Sequence, residues 1–371
     1  MEKKRTKIVL LIAVALVVFS AVSVCSAQDV RVSYQLLDQI NGSVTYQLNV
    51  VVPENLHEYY MEKSHRLTSS NGFASFVTPY ALQPIADRLW EIYHSEEDFA
   101  NGVLMIVHQI TYLETTPVKY PVETIVDGQG DCDLFSFIAA SVMKAGGLDV
   151  VLLYYEEQAH MNIGVHLSTA PQATRDSAYY VTVDNTRYYV AECTGGNWED
   201  GWRVGECPPD LKQVSAQTIT MENMEQIAPG QVSASFTTME LSHLSLQVSP
   251  IITLQNSAVT ISGQLTPEIA NEYVTIYASI NSSPWITVGT VPTKTDGSFD
   301  FFWIPETSGS HVIRAAWSGN EQYTGSTSQT RSATVIPLFL SALIVVAVIA
   351  AIIGVAAVLV GKHSQQDFIE P

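Results

Sequence analysis

Between residues 30 and 52 apolar and polar positions alternate, VRVSYQLLDQINGSVTYQLNVVV, and Asn41 and Gly42 interrupt the alternation. A period of two lines one face of a strand with apolar side chains, and Asn-Gly closes tight turns, so a β-hairpin is expected here. From about residue 82 the period lengthens. LQPIADRLWEIYHS carries apolar residues at helical spacing with Pro84 near its start, which predicts a helix. SEEDFANGVLMIVHQITYL predicts a second, opened by Ser95 and an acidic first turn and broken by TTPVKYP. CDLFSFIAASVMKAGG predicts a third, buried helix, with Asp131 as N-cap, Lys144 in the last turn and Gly146 and Gly147 as its stop. LDVVLLYYEE and HMNIGVHL then read as strands, and YYVTVDNTRYYVAEC as a hairpin turning near 184–186. Helices followed by antiparallel strands predict an α+β layout for residues 79–244.

Past residue 245 short alternating stretches recur, with turn signals about every 8–12 residues, and predict an all-β sandwich over 245–334. Its turns TDGSF and WSGNEQYTGS resemble those of immunoglobulin-like repeats on bacterial and archaeal surface proteins. Two long apolar runs flank these regions. Residues 1–27, with four Lys/Arg before the apolar core, read as a signal peptide or signal anchor, leaving 28–78 as the hairpin and its connection. Residues 335–361 hold no charge and exceed the ~20 residues that cross a bilayer, so a C-terminal transmembrane helix with a cytoplasmic tail at 362–371 is expected. The basic flanks of both runs belong inside, so the rest faces outward: a cell-membrane protein with a large extracellular portion, spanning once, or twice if the N-terminal run stays.

Charge changes the picture in one respect. The 371 residues carry a formal net charge of −19, which excludes the clustered basic surface that nucleic acid requires. The four cysteines change it in another. Cys25 lies in the signal region. Cys193 and Cys207 bracket the short glycine-rich loop CTGGNWEDGWRVGEC and are expected to pair as a disulfide in an oxidising exterior. Cys132 is left without a partner.

Cys132 is the candidate nucleophile. At the first position of its helix the positive end of the helix dipole faces the sulfur, and nearby amides can hold an oxyanion. Asp131 and Asp133 oppose a thiolate, so a base is needed. His160 opens the strand HMNIGVHL, and His166 shares its face. A third group must orient the imidazole; Glu192 is the better placed, and Asp184 at the hairpin tip is the alternative. Trp198 and Trp202 flank the 193–207 loop, and Asn41 and Asn281 lie in N-x-S sequons. No phosphate-binding glycine loop or metal cluster stands out, and no cofactor is expected.

The ordered stretches YPVETIVDGQGDCDLFSFIAASVMKAGG, HMNIGVHL and YYVAECTGGNWEDGWRVGE resemble the transglutaminase-like superfamily over about residues 79–206. In that family a G-x-C turn opens the nucleophile helix, a histidine opens a strand, and an acid precedes a threonine. These positions are Cys132, His160, Glu192 and Thr194. The chain departs from the pattern at Ala159, where the family often has Gly, at Met161, where an aromatic is common, at Glu192, usually Asp, and at Asp131, which is Gln in animal transglutaminases. The resemblance implies an α+β cysteine-protease-like (transglutaminase-like) domain. It also implies acyl transfer or hydrolysis of peptide amides through a Cys-His-Glu triad, on a protein or peptide substrate outside the cell. The alternative expectation is a surface adhesion or scaffold protein that uses the same domain only to bind.

Overall fold

The computed structural model describes residues 29–42, 44–237, 240–320 and 322–339. The alternating stretch forms β1 (Val30–Leu37) and β2 (Thr45–Val52), antiparallel from the pair Val30–Val52 inward. Leu36, Leu48, Val50 and Val52 face a core and are buried. Pro53 then starts α1 (Glu54–Glu62). The predicted helical stretches fold as α2 (Pro79–Ile92) and α3 (Glu96–Val107), the latter capped by the Ser95 side chain accepting from Asp98 N at 3.1 Å. A short helix α4 (Pro121–Asp127) ends at Gly128, whose φ of 64° is the left-handed conformation glycine adopts without strain. It leads directly into α5 (Cys132–Ala145), apolar on nearly every face and correspondingly buried.

The strands β3 (Asp149–Tyr155), β4 (His160–His166), β5 (Tyr180–Val183), β6 (Thr186–Ala191) and β7 (Gln217–Ile219) form an antiparallel sheet in the order β5-β6-β4-β3-β7. Period two gives it two apolar faces. Leu152, Ile163, Val165 and Ala191 join the helices in the main core. Val151, Leu153 and Val190 form a second cluster with Cys207 and Leu211. The chain returns to the N-terminal hairpin through β8 (Ser233–Ser235), which pairs with β2.

A β-sandwich follows. One sheet is built on Val259–Thr266, flanked by Gln247–Ser249 and Ser298–Trp303 and joined by His243–Leu244. The other runs in the order Ile252–Leu254, Arg331–Ile336, Gly309–Gly319, Tyr273–Ile280, Ile286–Pro292. Ile261, Ile276, Phe299 and Trp317 fill the space between the sheets. Asn55 Nδ2 donates to Thr327 O at 2.7 Å and the Tyr80 and Tyr277 hydroxyls are hydrogen-bonded, so α1 and α2 are tied to the sandwich.

Two expectations about architecture are corrected. Strand outweighs helix, 36% against 23%, so the described chain is mostly β-sheet rather than the expected α+β cysteine-protease-like fold. Apolar spacing marked the helices and recurring turn signals marked the sandwich, while the short strands at 217–219 and 233–235 had weaker signals. No helix among the described residues is long and apolar enough to cross a membrane. The expected transmembrane run begins with Val335, yet Val335 and Ile336 end a strand in which Ala333 and Val335 face the sandwich interior. Residues 340–361 of that run lie outside the described residues. The sequon residue Asn281 uses its side-chain amide, donating to Ser308 O at 3.1 Å and accepting from Ser310 N at 2.9 Å.

Candidate active site

Cys132 is the first residue of α5 and is 9% exposed. Its approach is fixed by the backbone. Gln129 and Gly130 pair in parallel with Thr111 and Tyr112, and Leu113 N donates to Gly130 O at 2.7 Å. Asp131 occupies the N-cap position but makes no side-chain cap hydrogen bond. Its Oδ2 instead accepts from Thr115 N at 2.8 Å, strapping the 113–117 segment to the start of the helix. Ser136, one turn on, donates to Cys132 O at 2.7 Å and reaches Met161 O at 3.2 Å, which fixes α5 against β4.

His160 is the first residue of β4, and Ala159 before it adopts φ 46°. A left-handed alanine costs roughly 1–2 kcal/mol, which gives a physical reason for the glycine that the family pattern favours there. The turn points Ala159 O at the nucleophile, and Cys132 Sγ lies 3.8 Å from it. His160 Nε2 bonds Glu192 Oε2 at 2.9 Å, and the Cys132 side chain is near enough to act on the ring's protonation. Burial alone would lower the His160 pKa. The interactions with Cys132 and Glu192 outweigh it and raise the value to about 10.

Glu192 has no exposed surface. Its Oε2 also accepts from Asn162 Nδ2 at 3.2 Å, and its Oε1 accepts from Thr194 N at 2.9 Å and Thr194 Oγ1 at 2.6 Å. Burial would raise its pKa, but these donors and the His160 charge hold it below the ordinary value. Glu192 O accepts from His108 Nε2 at 3.0 Å, and burial lowers the His108 pKa, keeping that imidazole neutral. Gly201 lies so close that a Cβ there would come within 2.5 Å of His108 Nδ1, so the 195–201 loop can close over the ring only with glycine.

Of the sequence-predicted residues, Cys132, His160, Glu192 and Thr194 come together. His166 does not: it is exposed and its Nδ1 pairs with Arg187 O at 3.0 Å. Asp184 remains in the β5–β6 turn. Trp198 packs against the main core and Trp202 beside Gly195, so both follow the loop they flank. Desolvation, with Asp131 alongside, pushes the Asp133 pKa well up. The negative charge expected beside the nucleophile is thereby reduced. Sequence reading missed Asn162, His108 and Ser136. Asn162 was open to it, since period two puts residue 162 on the face of residue 160. Nothing in the sequence links His108 or Ser136 to residues 84 and 25 positions away.

The expected Cys193–Cys207 disulfide is corrected: both are free, buried thiols. Cys193 belongs to the main core and Cys207 to the cluster on the other side of the sheet, so closeness in sequence does not bring them together. Burial pushes the Cys193 thiol well up and the Cys207 thiol to about 11. Without reductant, unfolding should therefore make Cys132, Cys193 and Cys207 all alkylatable. Peptide mapping that finds 193 and 207 protected until reduction would contradict this arrangement.

No family model matches the chain, and no curated protein does. Among solved structures, the CARDB domain of the PF1109 protein of Pyrococcus furiosus is similar at 18% identity and TM-score 0.19, over 27% of this chain and 99% of that one. A chitin binding domain from Burkholderia pseudomallei is similar at 11% identity and TM-score 0.20, over 23% of this chain and 56% of that one. A tetra-tandem repeat in the extending region of a large adhesion protein is similar at 13% identity and TM-score 0.23, over 51% of this chain and 42% of that one. Likeness at these TM-scores carries no argument about the site.

Proposed function

We propose that this protein is a thiol enzyme that transfers acyl groups from peptide amides, with Cys132 as nucleophile, His160 as general base and then acid, and Glu192 as the residue that orients the imidazole. The observation that carries this reading is the buried Glu192 carboxylate on His160 Nε2 at 2.9 Å, beside a Cys132 at the start of α5 whose Sγ lies 3.8 Å from Ala159 O, in the residue before His160. His160 takes the thiol proton, and the sulfur adds to the amide carbonyl. The C–N bond breaks as His160 returns the proton to the departing amine, leaving a thioester on Cys132. Water or a second amine then adds, assisted by the same imidazole, and the thiol is restored. Amides of the first turn of α5 are the donors for the oxyanion. The signal-like residues 1–27 support an exterior location as part of the same proposal.

The deciding experiment is the rate of Cys132 alkylation by iodoacetamide against pH, in the intact protein and in His160→Ala. A thiolate reactive near pH 6 and lost with His160 is the expected outcome. A rate that rises only near pH 8.5 in both proteins contradicts the proposal. The second reading, a surface binding protein with an idle site, is favoured by the β-sandwich, which contributes none of the three residues.

A further inference from the structure

A cleft of about 1460 Å³ opens between α1 and the β-sandwich, away from the thiol site. Its two walls differ in chemistry. Glu54, Glu58 and Glu62 line it from α1, and their spacing of four puts them on one helix face. Trp285 and Arg314 line it from the sandwich. Arg314 is only 9% exposed. Its Nη1 donates to Asn55 O at 3.1 Å, while its buried Nε has no hydrogen-bond partner among the described residues. Glu58 and Glu62 act on it by charge alone. The half-buried Trp285 ring has the guanidinium carbon 5.6 Å from its centroid.

A strut between α1 and the sandwich would need only the Nη1 bond. A buried donor without an acceptor costs roughly 1–3 kcal/mol, and a guanidinium edge is shaped to hold a carboxylate by two parallel bonds. The opposite wall sets a limit on the ligand. Three carboxylates repel a polyanion but accept hydrogen bonds from hydroxyl groups. A flat aromatic face beside them suits the C–H face of a sugar ring.

We infer that this cleft binds an acidic oligosaccharide, with a uronic acid carboxylate on Arg314, the adjoining ring against Trp285, and sugar hydroxyls donating to Glu54 and Glu58. The inference is independent of the thiol chemistry and is tested by calorimetric titration of the full-length protein with cellobiouronic acid, which carries one carboxylate, and with cellobiose and acetate. Cellobiouronic acid should bind saturably and more than tenfold tighter than the other two. Arg314→Lys keeps the charge but loses the paired donors. It and Trp285→Ala should each weaken binding by about tenfold or more. Unchanged Cys132 alkylation reports that each variant is folded, and Trp285→Ala, in a mostly exposed turn, serves if Arg314→Lys does not fold. Three results would each overturn the inference: no saturable binding at millimolar ligand, equal affinity for cellobiose or acetate, or wild-type affinity in a folded variant.

Discussion

Replacing Glu192 with alanine should cost this protein both its stability and its chemistry. The carboxylate has no exposed surface and accepts from four donors: His160 Nε2, Asn162 Nδ2, Thr194 N and Thr194 Oγ1. Truncation leaves a charged imidazole and three further donors buried without an acceptor, a loss of about 3–5 kcal/mol that urea unfolding would register. Glu192→Gln separates the two roles. It retains the volume, so it should unfold with a smaller loss than the alanine variant. Its amide cannot accept from all four donors, and the imidazolium loses its counter-charge. On the proposed mechanism, acyl transfer should then fall by roughly 10⁴, the scale seen when a triad acid becomes its amide. A folded Glu192→Gln protein whose Cys132 still alkylates at the wild-type rate near pH 6 would remove Glu192 from the mechanism.

Stability should also peak in a defined pH window. The His160 pKa is raised from 6.5 to about 10: burial lowers it, but the interactions with Cys132 and Glu192 more than offset that. Its contribution is complete below 6.5 and is lost as pH rises through about 10. The Glu192 pKa is lowered from 4.5: burial raises it, and the donors and the His160 charge outweigh the burial. Its contribution is complete above 4.5 and is lost as pH falls through the lowered value. Both are fully present only between 4.5 and 6.5. The urea midpoint of the intact protein should therefore fall from about pH 6 to pH 10 by more than that of His160→Ala, whose alkaline limb lacks this ion pair. Parallel curves for the two proteins would show that no such pair forms.

Local pattern carried much of the fold. The alternation over 30–52 determined β1 and β2 and put Leu36, Leu48, Val50 and Val52 on the core face, because a strand's faces follow from period two. Helical spacing with Ser95 placed α3, and glycine, aspartate and the apolar run after them placed Cys132 at the first position of α5. His160 and Glu192 were legible because each opens or closes a strand that the pattern itself delimits.

Other features depend on which strands become neighbours, and the sequence does not set that locally. β8 lies some 180 residues from β2, yet Ala234 pairs with Val50. β6 lies beside β4, with Ala191 opposite Ile163, and this adjacency brings Glu192 to His160 and Asn162 and within reach of His108. The same sheet separates Cys193 from Cys207, although a short loop between two cysteines suggests a bond. At the C-terminal end of the sandwich, Val335 and Ile336 read as the start of a membrane run because hydropathy sums over a window. In the fold they are strand residues, because Ser310 and Gly309 lie opposite Thr334 and Val335. The sequence alone determined α2, α3 and α5, the hairpin of β1 and β2, the strands β3 to β6 and the chemically competent residues, since backbone propensity and side-chain period act over a few positions. Only the tertiary structure decided which of those residues meet, since burial and hydrogen-bond pairing are settled between segments far apart in the chain.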